Sequence, residues 1–166
     1  MNGIKHIRID ERLIHGQVAA VWTNTLGATR IMIVDDEVVK NDMEKTLLKM
    51  ACPAHIKLSV LSTETAIQNI SSLKYQEDKV FMVVKSPAVL SKLFKNGIKF
   101  DAINVGNLSK KGDAVQVKKT VFVSTSDYED YKYLNGNGVK ITSRMIPSEE
   151  ENDFIKDIEN ALKNNK

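Results

Sequence analysis

Short apolar runs alternate along this chain with longer stretches whose apolar residues recur at helical spacing, and no other feature constrains its fold as tightly. Ile4 to Ile9, Arg30 to Val34, Lys57 to Leu61, Lys79 to Val84, Asp101 to Val105 and Val139 to Thr142 read as strands. Helices are predicted between them. The first runs from Gln17 to Thr25 and closes at Gly27; the second opens at Asn41, with Glu44 completing a capping box, carries Met43, Leu47 and Met50, and is stopped by Pro53. A third spans Thr63 to about Ser71, a fourth begins at Ser86-Pro87 with the serine as N-cap, and a fifth spans Ser126 to Leu134. Ser148 with Glu151 reads as the cap of a final helix whose buried stripe is Phe154, Ile155, Ile158 and Leu162. Val115 to Val123 offers one or two short strands, broken by lysines. Unbroken apolar content puts Lys79 to Val84 at the centre of a sheet covered on both faces. The repeated crossovers make this an α/β chain with a mostly parallel sheet, and ligands of such sheets bind beyond the carboxyl ends of the strands.

Composition narrows the class. The 166 residues, 42% hydrophobic and 27% charged, suit one domain spanning 1–166 and exclude a disordered or fibrous protein. Apolar stretches such as Val80 to Val84 fall far short of the roughly 20 residues that cross a bilayer, and the start MNGIKHIRID lacks a secretory apolar region, so a cytosolic protein is expected. One cysteine, Cys52, allows neither an internal disulfide nor a cysteine zinc cluster; at the end of an apolar helical segment it reads as inert core. The formal charge of +3 is no nucleic-acid footprint, because Lys110, Lys111, Lys118 and Lys119 are interrupted by Asp113 and interleave with no aromatic residue.

The most informative stretch follows the first strand: Asp10-Glu11-Arg12-Leu13-Ile14-His15-Gly16-Gln17-Val18. An imidazole with an ordinary pKa near ~6.5 is largely unprotonated and nucleophilic at neutral pH, which suits His15 to attack phosphorus. A phosphoryl group there needs compensating charge. Free amides at the helix start around Gly16 and Gln17, a glycine that permits close backbone approach, and the planar fork of Arg12 all supply it. Asp10 is an orienting group, either for the second ring nitrogen of His15 or for Arg12. Phosphoryl transfer through a loose transition state relies on positioning and charge stabilisation, so no separate general base is required. The bland alternative is that a histidine before a glycine is a loop residue.

DERLIHGQV after IRI, VDDEVVKND after the next strand, KSPAVL after the central one, then INVGN and VKITSRMIP, together resemble the IIB component of the mannose/fructose/sorbose family of sugar phosphotransferase systems over nearly the whole chain. The resemblance implies a three-layer α/β/α sandwich. It also implies that His15 is phosphorylated by a phosphohistidine of the IIA component and passes the group to a hexose or amino sugar taken up through the membrane components IIC and IID, with Asp10 and Arg12 framing the phosphohistidine. No cofactor or metal is implied, and the chain is expected to be a monomer that docks transiently at the inner face of the membrane. It departs from the family pattern at Asn107, where a second glycine is common, and at Ala88, where an acidic residue is frequent. Competing functions are a nucleotide- or phosphate-binding module, disfavoured by the lack of G-x-G-x-x-G or P-loop lysine motifs, and a phosphorylatable regulatory domain without a transport role.

Other candidates have structural alternatives. Asp35 and Asp36 are expected to orient Arg12 or hold their own loop rather than bind Mg²⁺; Asp36 is also a candidate phosphate or substrate contact. Ser86 is either a phosphate contact or only an N-cap. Asn104 and Gly106 end a strand, where a tight turn competes with close backbone approach to a ligand. His6, His55 and Trp22 are expected to be structural.

Overall fold

The computed structural model describes residues 2–165. Its strands are β1 (Ile4–Asp10), β2 (Arg30–Val34), β3 (Lys57–Leu61), β4 (Val80–Val84), β5 (Ala102–Asn107), β6 (Val115–Lys118), β7 (Val121–Val123) and β8 (Lys140–Thr142). Six of them form one sheet in the order β3-β2-β4-β1-β5-β8 with every pairing parallel, while β6 and β7 form a separate antiparallel pair. The helices are α1 (Gly16–Leu26), α2 (Asp42–Ala51), α3 (Thr63–Ser71), α4 (Pro87–Lys95), α5 (Thr125–Gly136) and α6 (Phe154–Asn164), with one 3-10 turn at Val38–Lys40.

The period of two along the strands divides the core into two layers. Met32 and Val34 of β2 and Val80, Met82 and Val84 of β4 pack on the side covered by α3, α4, α5 and α6. Ile31 and Ile33 of β2 and Phe81 and Val83 of β4 pack on the other side with Trp22 of α1 and Leu48 of α2. The result is the expected α/β/α sandwich, with β4 buried along its whole length between β2 and β1. On β1, Ile7 and Ile9 join the four-helix side. Its alternate residues, His6, Arg8 and Asp10, therefore face α1, a polar set on an otherwise apolar strand.

Three local expectations need correction. The last helix begins at Phe154, not near Ser148, and its N-cap is Asp153, whose carboxylate accepts from Lys156 N. The residues that mimic a cap are used elsewhere: Glu149 accepts from Met145 N, and Glu151 pairs with Lys140 and Arg144. Asn41 does cap α2, accepting from Glu44 N, yet Met43, Leu47 and Met50 lie outside the core and only Leu48 of that helix is buried. Cys52 accordingly sits half-buried at the C-cap of α2, where burial raises its thiol pKa. Ser86 occupies the N-cap position of α4, but its hydroxyl makes no cap hydrogen bond.

Candidate functional site

The site is built where β1 stops. Asp10 is 1% exposed, and its carboxylate accepts from Arg12 N and Arg12 Nε through Oδ1 and from Arg12 Nη2 through Oδ2, each at 3.0 Å. This two-pronged contact resolves the alternative left open by the residues alone: Asp10 holds Arg12, and among the described residues it makes no hydrogen bond to His15. Hydrogen bonding to Asp10 raises the Arg12 pKa, so the guanidinium stays charged while still reaching solvent.

Beneath lies a residue the sequence reading missed. Arg8, 2% exposed, places Nε 3.4 Å from Asp10 Oδ2 and donates from Nη1 to Arg144 O at 2.8 Å. Burial lowers its pKa and the charge of Asp10 opposes that. A usable signal was present: an arginine in a strand otherwise fit for the core, two residues before an aspartate and hence on the same face. Two guanidiniums thus share one carboxylate, with the charges of Glu149 and Glu11 acting on Arg8 and Arg12 from farther off.

Arg8 also explains Gly106. A Cβ at that position would stand 2.0 Å from Arg8 Nη2 and 2.1 Å from its Cζ. Gly106 is a close-approach glycine within β5, not a tight turn, and what approaches is a side chain of the chain itself. Asn104, completely buried, grips the same region: Nδ2 donates to Arg144 O at 3.0 Å and Oδ1 accepts from Arg144 N at 2.8 Å. Trp22 Nε1 donates to Met145 O at 2.9 Å, its ring stacked on His6 at 4.5 Å with the Arg8 and Arg144 guanidiniums each 5.5 Å away. Residues 144 and 145 are thereby strapped across the back of the site.

From Asp10 the chain turns sharply, Leu13 N donating to Asp10 O at 2.9 Å. Leu13 takes a left-handed backbone (φ 62°), a strained state for a side-chain-bearing residue that the burial of Leu13 and Ile14 in the α1-side core sustains. With those two side chains pinned inward, His15 emerges exposed at the N-cap of α1, extended at φ −132° and ψ 106°, and its ring makes no cap bond. Gly16 follows at φ 49°, where an added Cβ meets nothing within 4 Å; within this chain it is needed for its backbone angle rather than for close packing. Gln17 is exposed in the first turn of α1, where helix amides lack intrahelical partners. Below the loop is a cavity of about 10 Å³, the size of one water, lined by Arg8, Asp10, His15, Trp22 and apolar neighbours.

Glu11 secures the loop from the other side, accepting from Ser109 N at 2.8 Å and pairing with Lys111, while Glu11 N donates to Asn107 O. Because Asn107 contributes its backbone there, the departure from glycine leaves the contact intact. Ser86 stands half-buried at the carboxyl end of β4, the strand whose Val84 pairs with Ile9. The acidic pair is spent locally. Asp35 accepts from Glu37 N and Val38 N, and Asp36 accepts from Thr63 N at 2.7 Å and Thr63 Oγ1 at 3.2 Å, contacts that lower its pKa. Asp36 lines neither cavity that touches the histidine loop. Among the described residues no three His, Cys, Asp or Glu side chains converge as metal ligands, and no helix is long and apolar enough to cross a membrane.

The chain as a whole is similar to known proteins. Residues 4–166 match the family model described as the PTS system sorbose subfamily IIB component. A sorbose-specific EIIB component of Lacticaseibacillus casei is 36% identical over 155 residues, covering 93% of this chain and 94% of that one. A mannose-specific EIIAB component of Escherichia coli (strain K12) is 33% identical over 142 residues, 86% of this chain but 44% of the longer relative. Among solved structures, the IIBSor domain of the sorbose permease from Klebsiella pneumoniae superposes with a TM-score of 0.90 at 30% identity, covering 95% of this chain and 96% of that one. The match runs from the first strand to the last helix and takes in the whole histidine loop, so the chain belongs to the sorbose-subfamily IIB components of the sugar phosphotransferase system.

Proposed function

We propose that His15 is the phosphoryl carrier of this IIB component, accepting the group from a phosphohistidine of a IIA component and delivering it to a sugar held by the membrane components IIC and IID. The observation that carries this is an exposed imidazole at a helix N-terminus, three residues from an arginine that Asp10 holds in place with its guanidinium still reaching solvent. In the first step the donor's N–P bond breaks as an imidazole nitrogen of His15 forms its own bond to phosphorus. In the second, a sugar hydroxyl oxygen takes the phosphoryl group, the His15 N–P bond breaks and the hydroxyl proton is released. Arg12, held by Asp10 with Nη1 unbonded among the described residues, is aimed to share the charge of the phosphoryl oxygens; the first amides of α1, from Gly16 and Gln17, add the positive end of the helix dipole. The hydroxyl of Ser86, unused as a cap, is a further contact for the group, whereas Asp36, committed to Thr63, is not.

Exposure suits this work, since a nucleophile that serves two proteins in turn must be reachable by both. The chain acts as a monomer at the cytoplasmic face of the membrane, and the acceptor of its phosphoryl group is a hexose or amino sugar; two of its relatives are named for sorbose and mannose. Incubation with a phosphorylated IIA component is expected to give an acid-labile phosphoryl adduct that is absent from His15→Ala. A stable adduct in that variant removes the proposal. Loss of labelled-sugar uptake on deleting the gene separates a transport role from a regulatory one.

A further inference from the structure

Three of the large apolar side chains that the fold leaves in solvent lie on one helix, Met43 at 75%, Leu47 at 58% and Met50 at 77% exposed. Their spacing of four and then three residues puts them in one row along α2. The row borders the site. A groove of about 300 Å³ runs between the histidine loop and α2, with Arg12, Leu13 and Ile14 on one wall, Glu44 and Leu47 on the other, and Lys85 among its lining. Lys85 pairs with Glu44 at 3.9 Å, tying the start of α2 to the end of the central strand.

We infer that this row is the docking ledge for the phosphorylated donor protein, an apolar patch of the donor seating on Met43, Leu47 and Met50 so that its phosphohistidine comes down on His15. The inference rests on the function proposed above and deepens it. Transfer between two imidazoles brings the protein surfaces around both into contact, and the apolar row is continuous with the histidine loop through Leu47. Charge favours the donor over the acceptor as occupant: when the donor arrives the phosphoryl group is on the partner, and the solvent-reaching guanidinium of Arg12, which lines the groove, attracts it. When the acceptor arrives, the negative group is already here and that attraction is spent. Methionine's flexible, polarisable side chain suits a surface that binds briefly and lets go.

Leu47→Glu tests this, with Met43→Ser/Met50→Ser as a second variant; all three positions are exposed, and unchanged circular dichroism verifies the fold. Phosphorylation of His15 by phosphoramidate, which needs no docking surface, is expected to proceed at the wild-type rate in both. With a phosphorylated IIA component, KM is expected to rise about tenfold or more while kcat stays within about twofold. An unchanged KM overturns the proposal. So does an unchanged donor step accompanied by slower sugar phosphorylation in membranes carrying IIC and IID, which would assign the row to the acceptor. If wild-type protein takes phosphate on His15 from neither reagent, the function itself fails, a result distinct from failure of the ledge.

Discussion

Arg8, Asp10 and Gly106 behave as one unit. Removing the Asp10 charge leaves a buried guanidinium without its counter-ion, so Asp10→Asn is expected to lower stability by about 3 kcal/mol, read from urea midpoints. Gly106→Ala drives a methyl group into Arg8 and is expected to cost about 1–3 kcal/mol, with slower phosphorylation of His15 as Arg8 is displaced from Asp10. His6 adds a pH dependence. Burial, reinforced by Arg8 and Arg144 and opposed by Glu151, lowers its pKa from 6.5 to about 4. The unfolded chain therefore binds the proton more readily, and the stability of the neutral fold is lost as pH falls from 6.5 towards 4. Between pH 7 and pH 5 the loss is about 2 kcal/mol, and it is expected to be absent in His6→Phe, which keeps an aromatic ring against Trp22. Such partnerships are nearly invisible in sequence, since Arg8 and Gly106 meet only when β1 and β5 pair, and nothing in either segment names the other.

Elements written as local patterns were legible. Apolar runs marked every strand of the main sheet, and Gly27 and Asn41 marked a helix end and a helix start, because those signals depend on neighbouring residues alone. Where a long-range contact competed, the local pattern misled. Ser148 and Glu151 look like a cap, but the strap from Ser143 to Asn152 is held instead by Trp22, Asn104 and Arg8, and Asn152 Oδ1 accepts from Ser143 N. The row on α2 misled in the opposite sense, its helical spacing suggesting burial that the fold withholds. Trp22→Phe keeps most of the ring volume and removes the bond to Met145 O. The expected cost is about 1 kcal/mol, with faster amide hydrogen exchange confined to the strap.

At the scale of the molecule, the parallel sheet brings the carboxyl ends of β1, β4 and β5 together, so residues far apart in the chain, Asp10, Ser86 and Gly106 among them, converge at one end. That convergence follows from strand polarity, which is why the position of the histidine loop is legible in the sequence while its surroundings are not. The whole chain carries a formal charge of +3, and on the proposed function a phosphorylated donor would be drawn by it over distances comparable to the Debye length, about 8 Å in physiological salt. Raising the salt concentration is therefore expected to lower the bimolecular rate of His15 phosphorylation by the donor and to leave the phosphoramidate reaction much less affected, measured side by side. The openness of His15 has a cost in time. Among the described residues none forms a lid over the ring, so on the proposed function water would reach the N–P bond as freely as a partner does, and the charged carrier would be a perishable intermediate whose worth falls with every moment of waiting. Donor and acceptor are best kept within a short walk of each other.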